Sequence, residues 1–144
     1  MANLLLVDDD PILLTLMAKL LRHRGHTVSE AVSGEECLAR ATTEKFDLIK
    51  TDVMMPDMDG YQLTRQLRAH PAVRETAILI VTASLQGPDR DIAIAAGADG
   101  YDIKTVNVSR LNDKIESLLA ARQASQTKTD REQPLIHQVK SEEV

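Results

Sequence analysis

The sequence predicts an α/β domain in which five parallel strands form one sheet with helices on both faces. Three observations carry that expectation. Short apolar runs alternate with longer amphipathic stretches along the whole ordered part of the chain. Strict alternation of strand and helix requires parallel strands joined by right-handed crossovers, and those crossovers put helices on both faces. A length of 144 residues suits one such domain with a single core, not two.

The apolar runs fall at residues 4–7, 28–31, 48–49, 78–81 and 101–103. Between the first two lies a helix over residues 11–24. Asp10 is its N-cap, Pro11 occupies the first helical position, and Gly25 stands just past the end. Its expected buried stripe is Leu13, Leu16, Met17, Leu20 and Leu21. The second helix opens at Ser33-Gly34-Glu35-Glu36, which fits a capping box. A third runs over residues 59–68 with Leu63 and Leu67 on one face. The fourth covers residues 89–96 and ends at Gly97. The fifth starts near Asn107, a good N-cap, and turns Leu111, Ile115, Leu118 and Leu119 inward. Residues 1–122 therefore read as one domain. Residues 123–144 are rich in Gln, Ser, Thr, Lys and Glu and read as a polar, flexible tail.

Composition excludes several classes. Hydrophobic residues make up 43% of the chain and aromatic residues only 2%, so the core is aliphatic. Net charge is −5, and no Lys/Arg cluster offers the basic face that direct nucleic-acid binding needs. No stretch approaches the roughly 20 apolar residues of a membrane span, and the N-terminus lacks the pattern of a signal peptide. The expected location is the cytoplasm. The single cysteine, Cys37, reads as a small buried apolar residue.

Polar residues at the strand ends stand out because the fold does not require them. The first strand ends in Asp8-Asp9-Asp10, the third at Asp52, the fourth at Thr82, and the fifth leads into Lys104. In open parallel sheets, ligands bind beyond the carboxyl ends of the strands. Crowded carboxylates repel one another unless a cation compensates them. Mg²⁺ suits such a set, because it takes one or two carboxylates, keeps waters, and binds phosphate oxygens with the rest. Lys104 and Thr82 could each hold a phosphoryl oxygen. A free carboxylate facing them, Asp52, is a competent nucleophile for phosphorus. Asp10 reads as a helix cap, and Asp57 and Asp59 as turn and cap residues.

Several stretches together resemble the receiver family of bacterial response regulators over about residues 3–121. They are Leu5-Leu6-Val7-Asp8-Asp9-Asp10, Asp47-Leu48-Ile49 through Asp52 with Met55-Pro56 and Met58-Asp59-Gly60, Val81-Thr82-Ala83, and Gly97-Ala98-Asp99-Gly100-Tyr101-Asp102-Ile103-Lys104. The resemblance implies a flavodoxin-like (βα)5 sheet of order 2-1-3-4-5, as in single-domain chemotaxis-type regulators. It also implies phosphorylation of Asp52 by a sensor histidine kinase or a histidine phosphotransfer protein. Asp9 and Asp52 are implied as Mg²⁺ ligands by side chain, Asp8 through water, and Met54 by its backbone carbonyl. Thr82 and Tyr101 match the switch pair, Lys104 the phosphate-contacting lysine, and Ala83 a position kept small. Output is then expected through a protein partner or a homodimer, on the face formed by helix four, strand five and helix five.

Two positions depart from that family. Thr105 stands where proline usually follows the lysine, commonly through a cis bond. A non-proline cis bond costs roughly 2.5–4 kcal/mol, so the loop is either trans, with Lys104 held differently, or strained. Lys50 replaces an apolar residue two positions before Asp52. An ammonium inside a sheet requires a carboxylate partner or the loss of its charge. Two alternatives use the same fold: an interaction module independent of phosphorylation, and a hydrolase with an aspartate nucleophile. The first leaves Asp9, Thr82 and Lys104 without a purpose. The second needs an acid/base near the nucleophile, where Met54 cannot transfer a proton. With Met54 and Ser84 flanking the site, self-dephosphorylation is expected to be slow.

Overall fold

The computed structural model describes residues 1–83 and 89–124. The elements run β1 (Asn3–Val7), α1 (Pro11–His23), β2 (Thr27–Ala31), α2 (Gly34–Ala41), β3 (Leu48–Asp52), α3 (Gly60–Arg68), a 3₁₀ turn (Pro71–Val73), β4 (Ala77–Thr82), α4 (Asp89–Ala96) and β5 (Gly100–Ile103). A fifth helix, α5, spans residues 108–124. All five strands are parallel, in the order β2-β1-β3-β4-β5. The expected sheet order is the observed one.

Strand alternation divides the core into two layers. Leu5, Val7, Ile49, Ile78 and Ile80 face α2, α3 and α4, meeting Cys37, Leu63, Leu67 and Ala93. Leu4, Leu6, Leu48, Leu79 and Val81 face α1 and α5, meeting Leu14, Met17, Leu21, Leu111 and Ile115. Tyr101 lies in the first layer and is buried. The central strands are buried on both faces, which explains why they read as continuous apolar runs.

The stripe on α1 is rotated from the expected one. Leu14, Met17, Ala18 and Leu21 are buried, whereas Leu16 is 46% exposed and Leu13 and Leu20 are half-buried. This helix is apolar around most of its circumference, so periodicity alone leaves its phase open. On α5, Leu111 and Ile115 are buried while Leu118 and Leu119 are half-buried.

The N-caps fall at the expected residues, though the capping box expected at Ser33 is only half formed. Asp10 accepts from the N–H groups of Ile12 and Leu13 at 3.1 and 3.2 Å. Ser33 accepts from Glu36 N–H at 3.2 Å, and Asn107 from Arg110 N–H at 3.2 Å. Asp59 forms a reciprocal capping box with Gln62, 2.8 and 3.0 Å, which secures the helix that follows the β3 loop. Gly97, at φ 107°, ends α4 in a conformation that a side chain would strain. Residues 123 and 124 continue α5, so the chain stays helical two residues past the expected boundary. The rest of the expected tail, and Ser84, lie outside the described residues.

Candidate phosphoryl-acceptor site

Because β1 and β3 are neighbours in register, with Val7 opposite Thr51, the residues after them meet at one sheet edge. Asp8 extends the ladder by donating its N–H to Ala31 O at 3.1 Å. Asp52 is the last residue of β3. Asp8 and Asp52 are buried and Asp9 is exposed, and each offers a carboxylate oxygen within 4.8 Å of the others'. This close set of hard oxygen donors fits a small divalent cation such as Mg²⁺.

Lys104 closes the opposite side. Its backbone N–H bonds Thr82 O at 2.6 Å, so the loop after β5 folds over the end of β4. Its ammonium then reaches Asp52 Oδ2 at 2.6 Å and Asp8 Oδ2 at 3.0 Å. No described peptide bond is cis, so the bond from Lys104 to Thr105 is trans. Of the two possibilities raised by Thr105, the trans loop is the one found. Thr82 sits half-buried one residue beyond Val81, the register partner of Asp52. Ala83, next to it, is exposed. Tyr101 is buried, 7% exposed.

Lys50 is paired. It is buried, and its Nζ lies 3.3 Å from Asp52 Oδ1, both side chains being only 6% exposed. Asp52 therefore has a lysine on each oxygen.

These contacts set the charges. Burial pushes the Asp52 carboxyl above its ordinary value; Lys50 and Lys104 oppose that push and Asp8 reinforces it. Burial also acts to raise Asp8, but the Asp10 N–H at 2.9 Å and Lys104 hold it below the ordinary value. Burial works against the charge of Lys104, yet Asp52 and Asp8 carry it above the usual lysine value.

Sequence reasoning missed the part played by Gly60. A Cβ there would run into the backbone carbonyl of Asp52, and Gly60 N–H bonds Val53 O at 2.8 Å. The start of α3 thus rests directly on the Asp52 backbone. A glycine after a helix cap gives no hint of this, because the contact is tertiary. The preceding loop carries Asp57 at φ 69°, a left-handed position that Asp tolerates better than most residues.

Residues 4–116 match the family described as response regulator receiver domain. The chain is 40% identical over 102 residues to the gliding motility regulatory protein of Myxococcus xanthus, covering 71% of this chain and 13% of that one. It is 34% identical over 120 residues to protein PilH of Pseudomonas aeruginosa, covering 83% of this chain and 99% of PilH. It spans about half the length of several curated transcriptional regulators that it also matches. Among solved structures, the response regulator TrrA of Thermotoga maritima, in complex with Mg²⁺ and BeF, aligns with TM-score 0.73 and 29% identity, covering 82% of this chain and 99% of that one. Receiver domains are signalling modules that bind Mg²⁺ at their acidic phosphorylation site and act with histidine kinases and downstream partners. Its sheet order, and an Asp8/Asp9/Asp52 pocket that fits that phosphorylation site, agree with the match over residues 4–116: the chain belongs to the response regulator receiver domain family.

Proposed function

We propose that the chain is a phosphorylation-driven switch whose acceptor is Asp52, charged by a sensor histidine kinase or a histidine phosphotransfer protein. One observation carries this reading. Asp52 is a buried carboxylate at a strand end, facing two further carboxylates and held by Lys104 at 2.6 Å. In the transfer, an Oδ–P bond to Asp52 forms as the N–P bond of a phosphohistidine breaks, and the imidazole nitrogen leaves with the electron pair.

Asp9 and Asp52 would hold Mg²⁺ by side chain, with Met54 giving its backbone carbonyl and Asp8 acting through water. The ion, when bound, supplies positive charge to the phosphoryl oxygens. Lys104 is long enough to leave Asp52 Oδ2 and follow a phosphoryl oxygen. Thr82 donates its hydroxyl to another. Its reorientation makes room beside β5 for Tyr101, whose burial supports an inward state that exists before phosphorylation. The face of α4, β5 and α5 then carries output to a protein partner or a second copy. Self-dephosphorylation is slow, because Met54 offers no group to orient an attacking water. The expected setting is the cytoplasm, without direct nucleic-acid contact, since a net charge of −5 offers no basic face.

The test is intact mass after acetyl phosphate treatment. The wild type should gain one phosphoryl group in Mg²⁺ and none with chelator. Asp52→Asn should gain none in either, and equal labelling of that variant would overturn the assignment.

A further inference from the structure

Lys50 has no part in the reading above, and its placement asks for one. It is a buried lysine on β3, in register between Leu6 and Leu79, which are 1% and 0% exposed. An ammonium placed there is costly unless a carboxylate meets it. Alternation along the strand turns Lys50 and Asp52 to the same face, so the ammonium comes up beneath the acceptor and stops 3.3 Å from Oδ1. Lys104 approaches from the loop side and is 28% exposed, so it is free to move with the chemistry. Lys50 is walled in and is not.

We infer that Lys50 is a fixed internal counter-ion to the phosphoacceptor, a positioning residue that occupies part of the electrostatic role otherwise left to Mg²⁺. Rows of the sheet explain how. Without Lys50, three carboxylates face one lysine, and the remaining negative charge matches a divalent ion. With Lys50, two of the three are already balanced. The acceptor stays oriented when metal is scarce, and Mg²⁺ enters a less negative site and binds more weakly. The surplus positive charge is taken up when the dianionic phosphoryl group arrives, so the metal-bound site favours the phosphorylated form.

This inference rests on the assignment of Asp52 and its metal site, and its test separates the two. Mg²⁺ is titrated by calorimetry, without phosphodonor, into the wild type, Lys50→Met and Lys50→Arg, and each is melted with and without Mg²⁺. Removing a unit charge a few ångströms from a divalent ion is worth at least about tenfold in affinity even in a well-screened site. Lys50→Met should bind Mg²⁺ at least about tenfold tighter and gain more thermal stability from it than the wild type does. Lys50→Arg, which keeps the charge, should stay within about threefold of the wild type. Wild-type binding with unchanged affinity in Lys50→Met overturns the role of Lys50 alone. No Mg²⁺ binding by the wild type overturns the metal site and this inference with it. A Lys50→Met protein that neither folds nor is rescued by Mg²⁺ also overturns it, since the metal should replace the missing charge.

Discussion

At the scale of single residues, the acceptor is defined as much by what is absent as by what is charged. Gly60 lets the start of α3 close onto the Asp52 carbonyl, where a methyl group would collide with backbone. Gly60→Ala should therefore shift the acceptor, costing about 1–3 kcal/mol by the measure of an overpacked core and slowing phosphorylation. Thermal unfolding and a labelling time course check both, and an unchanged rate at unchanged stability would contradict the contact. Cys37 behaves as its sequence context suggested: it is buried, and burial pushes its thiol up to about 12 from 9.0. Between those values the folded protein keeps a proton that the unfolded chain has released, so stability falls as pH rises through that window. Cys37→Ala should remove this part of the alkaline loss in melts run at increasing pH. The meeting of the carboxylates with Lys104 at one sheet edge was legible from residue type and strand position. The pairing of Lys50 was legible only as a need for some partner: alternation puts Asp52 on its face, but whether the ammonium reaches Asp52, Asp8 or Asp9 is set by packing in the folded site.

Elements bring those residues together, and at this scale one cation holds several of them. Arg68, at the end of α3, donates to Gly97 O at 2.9 Å, Val73 O at 2.9 Å and Thr76 O at 2.8 Å. It also pairs with Asp99 at 2.7 Å, and Asp99 in turn accepts from Ile78 N–H at 2.8 Å and pairs with Arg122. One guanidinium thus joins α3, the 3₁₀ turn, the start of β4 and the loop before β5. Arg68→Ala leaves these three carbonyls without their donor, and should cost about 3 kcal/mol, at about 1 kcal/mol or more for each acceptor left unsatisfied. A melting temperature within a few degrees of wild type would contradict that. The sequence shows helix boundaries well, since caps such as Asp10, Asp59 and Asn107 are local. It does not show this network, whose members lie far apart in the chain. Nor does it give the phase of α1, where nearly every position is apolar and only docking on the sheet decides that Leu14 and Ala18 turn inward.

For the whole molecule, the question is how charge at one sheet edge reaches a partner. In the proposed switch Tyr101 would tie the two together, and β5 carries it into the same core layer as Leu63 and Ile80. Tyr101→Ala should leave phosphorylation of Asp52 intact and weaken partner binding or dimerisation by at least about tenfold, an allosteric coupling of ordinary size. NMR shifts on phosphorylation should extend along α4, β5 and α5; shifts confined to the Asp52 pocket would contradict the switch. A parallel sheet with helices on both faces follows from alternation and is legible in the sequence; its order was expected only from the resemblance to the receiver family. Strand pattern alone leaves a tyrosine on a short edge strand free to face either side, and only the resemblance to the receiver family marks Tyr101 as half of a switch pair that turns inward. The most direct measurement for the central claim is chemical trapping of the acyl phosphate. Protein phosphorylated with acetyl phosphate and Mg²⁺ is reduced with borohydride, which converts a phosphorylated aspartate to homoserine, and the peptides are sequenced by mass spectrometry. The account predicts homoserine at position 52, dependent on Mg²⁺ during labelling. Homoserine at position 8 or 9 instead, or at no aspartate in a protein that carries the added mass, would contradict it.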